Sequence, residues 1–213
     1  MLKQKLILIG GGGHGKACID VIENTEGYEI VGILDVADKV GQSILNYSII
    51  GTNDLISHLA KRSDIAFIIT VGQIKSAGIR KAIFQKLLDN KAKIATIISK
   101  NATVSKYAKI GEGTVIFHGA KINADAIIGD NCIINTAAII EHDAQIGQHS
   151  HISTAVVVNG TCQIGQEVFI GSNTVLANNI NIANNIVIGA GSVVYKSLIE
   201  AGIYAGNPLI KIR

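Results

Sequence analysis

From Ile98 to Val194 every sixth residue is Ile, Val or Leu, and the register never slips. Ile110, Ile116, Ile122, Ile128, Ile134, Ile140 and Ile146 are a stretch of it. The residue two places earlier is nearly always small, as at Ala108, Ala120, Ala126, Cys132, Ala138, Ala144, Cys162 and Thr174. An α-helix cannot keep a period of six on one face, and a plain strand alternates every two. A coil of three short strands, one hexapeptide each, satisfies both patterns: the branched residue fills the core and the small one fits the corner. Gly111, Gly129, Gly147 and Gly165 recur every eighteen residues, one full coil. Such repetition predicts a β-solenoid with about five coils, or ~25 Å at ~4.8 Å per coil.

Composition excludes several other classes. A length of 213 residues suits one compact unit or two small ones. Apolar residues make up 48% and aromatic ones 4%, so the core must be aliphatic and thin. A net charge of +3 with 16% charged residues argues against a nucleic-acid partner. The first residues, MLKQKLILIGGGG, carry too short an apolar run for a signal peptide or a spanning helix. A cytoplasmic protein without membrane insertion is therefore expected. Cys18, Cys132 and Cys162 are odd in number, lack metal spacing, and read as buried reduced thiols.

Ahead of the repeat, strands and helices alternate. Lys5–Ile9, Glu29–Leu34, Ser48–Ile50 and Ile65–Thr70 read as strands, and Lys93–Ile98 as a segment closing the set. Lys16–Asn24 and Lys75–Asp89 read as helices, with Thr52 or Asn53 capping a third over Asp54–Lys61. The order predicts a small Rossmann-like parallel sheet over residues 1–98, followed by a β-helix over residues 99–213.

Gly10, Gly11, Gly12, Gly13, His14 and Gly15 follow the first strand and open a helix, and Asp35 stands about twenty residues on. Glycines at a strand-to-helix turn let backbone N–H groups approach a phosphate. NAD binding would need a second nucleotide half and a hydride-transfer site, more than about 98 residues supply. A nucleotide sugar needs only one diphosphate contact and one ribose or base contact.

The two halves together resemble the hexapeptide-repeat acyltransferases, in the group of sugar-nucleotide N-acetyltransferases and sialic-acid O-acetyltransferases. The resemblance rests on the six-residue repeat and on the N-terminal GGGGHG arrangement. It implies a left-handed parallel β-helix, a homotrimer, acetyl-CoA as co-substrate and a coenzyme groove between neighbouring prisms. The closing Ala205-Gly206-Asn207-Pro208 also resembles the family's last segment. Leu209-Ile210 stand where the family has Ala-Lys, which removes the family's basis for a phosphate contact there.

Acetyl transfer to an amine or hydroxyl needs a base, and His has a suitable pKa. His58 reads as solvated, and His118, His149 and His151 as surface or packing residues. His142 stands near a corner, two places after a core residue, with Asp143 next to it to hold the imidazole tautomer. The family has His followed by Glu at this position, and Glu141 is an alternative partner. Gly160 lies eighteen residues on, so stacked coils bring its N–H beside the imidazole. The resemblance gives that amide an oxyanion-holding role. Thr154, Ser172 and Ala190 form a small-residue column suited to a pantetheine arm.

The positions just before each core residue sort into three columns. Val115, Ile133, His151, Phe169 and Val187 are one, and Ile139, Val157, Val175 and Val193 another. The third, Lys109, Ile127, Gln145, Gln163 and Asn181, is mostly polar. Two apolar faces and one wet face suit a trimer of prisms. His151, in an apolar column, is placed to reach a neighbour's acetyl-CoA site. Lys196, Lys211 and Arg213 are candidates for coenzyme phosphates. The expected activity is acetyl transfer from acetyl-CoA to the amino group of a nucleotide-linked sugar, with UDP as the expected carrier. Sugar O-acetylation is the alternative. A carbonic-anhydrase-like metal site is a third reading and would need three of His118, His142, His149 and His151 at one place.

Overall fold

A computed structural model describes residues 3–213. The chain divides into two compact units. One runs to Gly72 and resumes over Gly78–Ile97; the other comprises Gln73–Ala77 and Ile98–Arg213.

The first unit holds β1 (Gln4–Ile9), α1 (Gly13–Glu23), β2 (Tyr28–Leu34), β3 (Ser43–Ile44), β4 (Tyr47–Gly51), α2 (Ile56–Leu59), β5 (Ile65–Ile69) and α3 (Gly78–Asp89). The sheet order is β3-β4-β2-β1-β5, with β4, β2, β1 and β5 parallel and β3 an antiparallel edge. All five residues of β5 are buried, as expected of a parallel strand covered on both faces. Ile7, Ile9, Leu34, Phe67, Ile69, Phe84 and Leu87 form the core of one face. The hairpin strand β3 has no apolar run to announce it. The helix expected over Asp54–Lys61 is a 3₁₀ turn at Asn53–Leu55 followed by α2, with the Thr52 side chain accepting from the Asp54 N–H.

Two boundaries differ from expectation. Helix α3 begins at Gly78 rather than Lys75, because Gln73–Ala77 packs with the second unit as a strap. Lys93–Ile98 is not one strand: Ile94 bridges to Phe67, while Ile97–Ile98 begins a face of the β-helix.

The second unit is a left-handed parallel β-helix with three faces. One runs from Thr103–Val104 to Val193–Val194, a second from Lys109–Ile110 to Asn181–Ile182, and a third from Ile97–Ile98 through Ile186–Ile188 to the C-terminal strands. Partners sit eighteen residues apart, as in Ile122 with Ile140 and Ile140 with Val158. The six-residue series from Ile116 to Val194 is buried, with Ala120, Ala126, Cys132, Ala138, Ala144 and Cys162 at the corners. Each such Ile contributes about 1.5–3 kcal/mol through burial.

From Gly113 on, the corners turn through a left-handed residue three places before the core residue. Asp125, Asn131, Ala137, Asp143, His149, Ala155 and Thr161 all have φ between 51 and 61°, and Gly113, Gly119 and Gly191 share the position. Asn and Asp tolerate that conformation best. Thr161, β-branched at φ 61°, is the most strained; its hydroxyl lies within reach of the Gly160 carbonyl and of Asn179 Oδ1.

Candidate active site

In the first unit the glycines divide by role. Gly10 has φ +115°, and a Cβ on Gly15 would stand 2.5 Å from the Gly10 carbonyl oxygen. Both are required by the close approach of strand and helix. Nothing lies within 4 Å of where a Cβ on Gly12 or Gly13 would be. These two stand at the N-terminus of α1, Gly12 as its N-cap, where unpaired N–H groups favour an anion. His14, half-buried, lies against Gly72 at the end of β5.

Asp35 ends β2 and turns toward the loop. Its Oδ2 accepts from the Gly11 N–H at 2.7 Å, its Oδ1 from the Val36 N–H at 2.7 Å, and Lys39 Nζ stands 3.2 Å from Oδ2. Burial pushes its pKa up, but the Val36 and Gly11 hydrogen bonds and Lys39 outweigh that and hold it below the usual range. The carboxylate therefore shapes the glycine loop. A cavity of about 330 Å³ opens beside it, lined by Gly10, Asp35, Val36, Thr52, Asn53 and Val71 among others. It lies beyond the C-terminal ends of β1, β2 and β5, next to the point between β1 and β5 where the sheet order changes direction, the usual ligand crevice of such sheets. Arg80, buried on α3, donates to the carbonyls of Ile69 and Val71 and fixes the crevice's far wall.

In the second unit the structure brings His142, Asp143 and Gly160 together. His142 Nδ1 lies 2.8 Å from Asp143 Oδ2, so the carboxylate holds the Nδ1–H tautomer and leaves Nε2 as the free base. The Asp143 hydrogen bond is the main cause raising the His142 pKa; slight burial opposes it, and the charges of Asp143 and Glu141 add to it. Glu141 accepts from Asn123 Nδ2 at 2.8 Å and is occupied there. A Cβ on Gly160 would stand 2.9 Å from both Cε1 and Nε2 of His142, so only glycine leaves the imidazole in place. The chain continues with the Thr161 N–H on the His142 carbonyl, 3.1 Å.

Ser172 and Ala190 lie on a different corner, after the face containing Phe169–Ile170, whereas His142 and Gly160 follow the face containing Ile139–Ile140. Ser172 exchanges a hydrogen bond with Ser153, Oγ to Oγ 3.0 Å. One chain thus carries the two halves of the expected coenzyme groove on separate corners.

His151 departs from expectation. It is only 6% exposed, beneath the strap: its Nδ1 donates to the Gln73 carbonyl at 2.6 Å and its Nε2 accepts from Asn135 Nδ2 at 3.3 Å. Its ring meets Phe169 edge-on at 5.2 Å. In the apolar column that contains it Val115 and Ile133 are buried as well, whereas Phe169 and Val187 are half-buried. No pattern over Gln73–Ala77 announces the strap that covers His151. The other apolar column stays open, with Val175 38% exposed.

The four histidines considered for a metal go to four partners: His118 to Ser99, His142 to Asp143, His149 to Asn131, and His151 to Gln73. Among the described residues no group of His, Cys, Asp or Glu has the arrangement of a metal site. The three cysteines are buried and free, and burial pushes the Cys18 thiol up to about 12 against the pull of Arg80. No helix among the described residues is long and apolar enough to cross a membrane. Lys211 is held by Glu200 at 2.9 Å, which takes it from the set of free cations.

A Rossmann-like sheet with an anion-ready loop, joined to a β-helix with a carboxylate-held corner histidine, defines the class: a hexapeptide-repeat acyltransferase with an N-terminal nucleotide-binding type of domain. The sequence matches the PglD N-terminal domain over residues 5–87 and the GMPPB C-terminal domain over residues 94–209, more than half of the chain. The chain belongs to the hexapeptide-repeat family and is similar to sugar N-acetyltransferases within it. A curated relative, UDP-N-acetylbacillosamine N-acetyltransferase of Bacillus subtilis (strain 168), is 34% identical over 113 residues, which are 53% of this chain and 50% of that protein. The match thus spans about half the length of that relative. Among solved structures, a mutant perosamine N-acetyltransferase from Caulobacter crescentus, in complex with CoA and GDP-perosamine, is 26% identical with a TM-score of 0.91. That similarity covers 98% of this chain and 97% of the other. The acetyltransferase domain of PglB from Neisseria gonorrhoeae FA1090 is 28% identical with a TM-score of 0.90, covering 99% of this chain and 100% of the other.

Proposed function

We propose that this protein transfers the acetyl group of acetyl-CoA to the amino group of a nucleotide-linked amino sugar. The observation that carries this is the corner at His142: a solvent-facing imidazole whose Nδ1–H is held by Asp143 and whose Nε2 faces the bare backbone of Gly160. Nε2 removes the proton from the amine as its lone pair attacks the thioester carbonyl. The carbonyl oxygen takes on negative charge and is stabilised by the Gly160 N–H. The C–S bond then breaks, and the coenzyme thiolate leaves and picks up the proton. The attack is direct: the three cysteines are buried and cannot form an acetyl-enzyme.

The domain over residues 1–98 binds the nucleotide sugar, through Gly12 and Gly13 at the diphosphate, His14 beside them, and a crevice shaped by Gly10, Gly11 and Asp35. The β-helix over residues 99–213 binds acetyl-CoA, with Gly160 on one corner and Ser172 and Ala190 on another. The separation of those corners favours a homotrimer, in which neighbouring chains complete the groove. The same trimer would use the open column of Ile139, Val157, Val175 and Val193 as one contact face. Such an enzyme works in the cytoplasm, where acetyl-CoA and sugar nucleotides are made.

The amine is favoured over a hydroxyl because the perosamine enzyme and the curated relative are both N-acetyltransferases. The carrier is UDP for the curated relative and GDP for the perosamine enzyme. The test is a panel of UDP- and GDP-linked 4-amino sugars and free sialic acids, with release of coenzyme thiol and product mass as readouts. Transfer to an amino-sugar nucleotide is expected; transfer only to a free sialic acid, or to none, overturns the proposal.

A further inference from the structure

The corner that carries His142 is a column with one residue per coil: Lys106, Ala124, His142, Gly160, Asn178 and Lys196, so that a cation stands at each end and the sign changes nearer His142. Three features give it a direction. The carboxylates of the corner, Asp125, Glu141 and Asp143, stand on the coil of His142 or the coil before it. The two following coils carry Asn159, Gly160, Thr161, Ala177, Asn178 and Asn179 there, with no acid, and the column ends on Lys196. On the coils adjoining His142 an anionic coenzyme is repelled on the side of Asp125, Glu141 and Asp143 and meets no acid on the side of Gly160, while an amine acceptor prefers the acidic side. The thioester arm therefore runs from His142 past Gly160 toward Lys196.

Asn178 stands on that path. The point where a Cβ on Gly160 would sit lies 2.9 Å from His142 Nε2 and 3.4 Å from Asn178 Nδ2, so imidazole and carboxamide converge on one space. Asn178 is exposed, and its side chain makes no hydrogen bond among the described residues. Its neighbours Asn159 and Asn179 are both engaged, with the Leu176 carbonyl and with Thr161. The exposed amide of Asn178 has no protein acceptor among the described residues and is open to a ligand.

We infer that Asn178 donates its side-chain N–H to the carbonyl of the pantetheine amide next to the thioester, and so sets the depth at which the acetyl group enters. This rests on the proposed use of acetyl-CoA at His142. The distances agree: five bonds join the thioester carbonyl carbon to that amide carbonyl carbon. At the extended-chain repeat of ~3.3–3.6 Å per three bonds they span about 6 Å. One coil rises ~4.8 Å, and a side chain reaching outward covers the difference. With the acetyl oxygen on the Gly160 N–H, the next carbonyl falls beside Asn178. It is a positioning residue: it touches the carrier, not the reacting atoms.

The experiment compares thioesters in wild type, Asn178→Ala, Asn178→Leu and Asn178→Asp. Acetyl-CoA and the acetyl thioester of N-acetylcysteamine contain the amide carbonyl; S-ethyl thioacetate lacks it. One lost neutral hydrogen bond should raise the acetyl-CoA KM about 5–10-fold in the Ala and Leu variants, with kcat nearly unchanged. The Asp variant should lose more, because its carboxylate repels the carbonyl. The preference for the N-acetylcysteamine thioester over S-ethyl thioacetate should fall by the same factor. That ratio is insensitive to partial misfolding, since a smaller active fraction lowers both rates alike. A wild-type ratio in Asn178→Ala, or an Asp variant no worse than Ala, overturns the inference. Absence of transfer by the wild type from any thioester overturns the parent function instead.

Discussion

Asp35 Oδ2 accepts the Gly11 N–H at 2.7 Å, so the carboxylate grouped with the glycine loop by its spacing holds the loop that would hold the phosphates. That role is testable. Asp35→Asn removes the charge that faces Lys39 and weakens the grip on Gly11. The acceptor KM should rise while the acetyl-CoA KM stays near wild type. Stability follows the same carboxylate. Its folded pKa is depressed, so its contribution is present above the ordinary carboxylate range and is lost as pH falls through the lower folded value. Melting temperatures of wild type and Asp35→Asn should differ at neutral pH and converge in strong acid. A gap that is constant down to pH 2 would mean that the charge is irrelevant.

Gly12 and Gly15 separate ligand from packing. A side chain at Gly12 meets open space, whereas one at Gly15 meets the Gly10 carbonyl. Gly12→Val should therefore fold and melt nearly as wild type, yet raise the KM of the nucleotide sugar alone. Gly15→Val should lower the melting temperature outright. Equal losses for both substrates in Gly12→Val would make the loop structural.

Much of this architecture could be read from residue spacing, for a physical reason. A period of six sustained from Ile98 to Val194 is incompatible with any other regular structure. Stacking at eighteen residues then places Gly160 over His142 by arithmetic. Asp143 as tautomer holder needed only adjacency. Other features depend on tertiary detail that no period encodes. The strap Gln73–Ala77 has a helix-compatible sequence and leaves the helix only because Gln73 bonds with His149 and His151. Its cover makes His151 interior. The left-handed corner residue was equally hidden: Ala137, Thr161 and Glu167 are not residues that announce a positive φ.

Assembly is best probed away from the column of His151. Phe169→Lys would place a charge against His151 within one chain, and loss of function there would report misfolding as readily as dissociation. Val175 is 38% exposed, with Val157 next to it on the preceding coil. Val157→Lys combined with Val175→Lys should leave circular dichroism intact, shift the mass in light scattering to that of one chain, and abolish transfer. An active single-chain species would show that one chain holds the whole site.

Gly160→Ala tests the stacking directly. Its methyl would stand 2.9 Å from the His142 ring, closer than carbon–nitrogen contacts allow, so the imidazole must rotate or the coils must part. A base displaced by part of an ångström costs roughly 10–100-fold in kcat. Since the backbone N–H survives, acetyl-CoA binding should persist. Unchanged kcat would mean that Nε2 does not work beside Gly160.

The base itself gives the sharpest outcome. His142→Ala should lower kcat by roughly 10²–10⁴, the usual range for losing a general base. Coenzyme binding should survive, because the imidazole contributes a proton acceptor rather than a docking surface. Asp143 raises the His142 pKa through the Nδ1 hydrogen bond. The neutral imidazole is the active form, so wild-type kcat should climb with pH through a limb above the ordinary histidine value. Asp143→Asn removes that raising effect, and the limb should move to lower pH. At the same time its plateau should drop, because the tautomer is no longer enforced and Nε2 carries the proton part of the time. The combination of a lower limb and a lower plateau distinguishes this role from simple damage to the fold, which would reduce the plateau and leave the limb in place. A pH profile of kcat for the two proteins, with His142→Ala as the baseline, decides it. A limb that does not move in Asp143→Asn assigns the titration to another group and ends the case for His142 as the base.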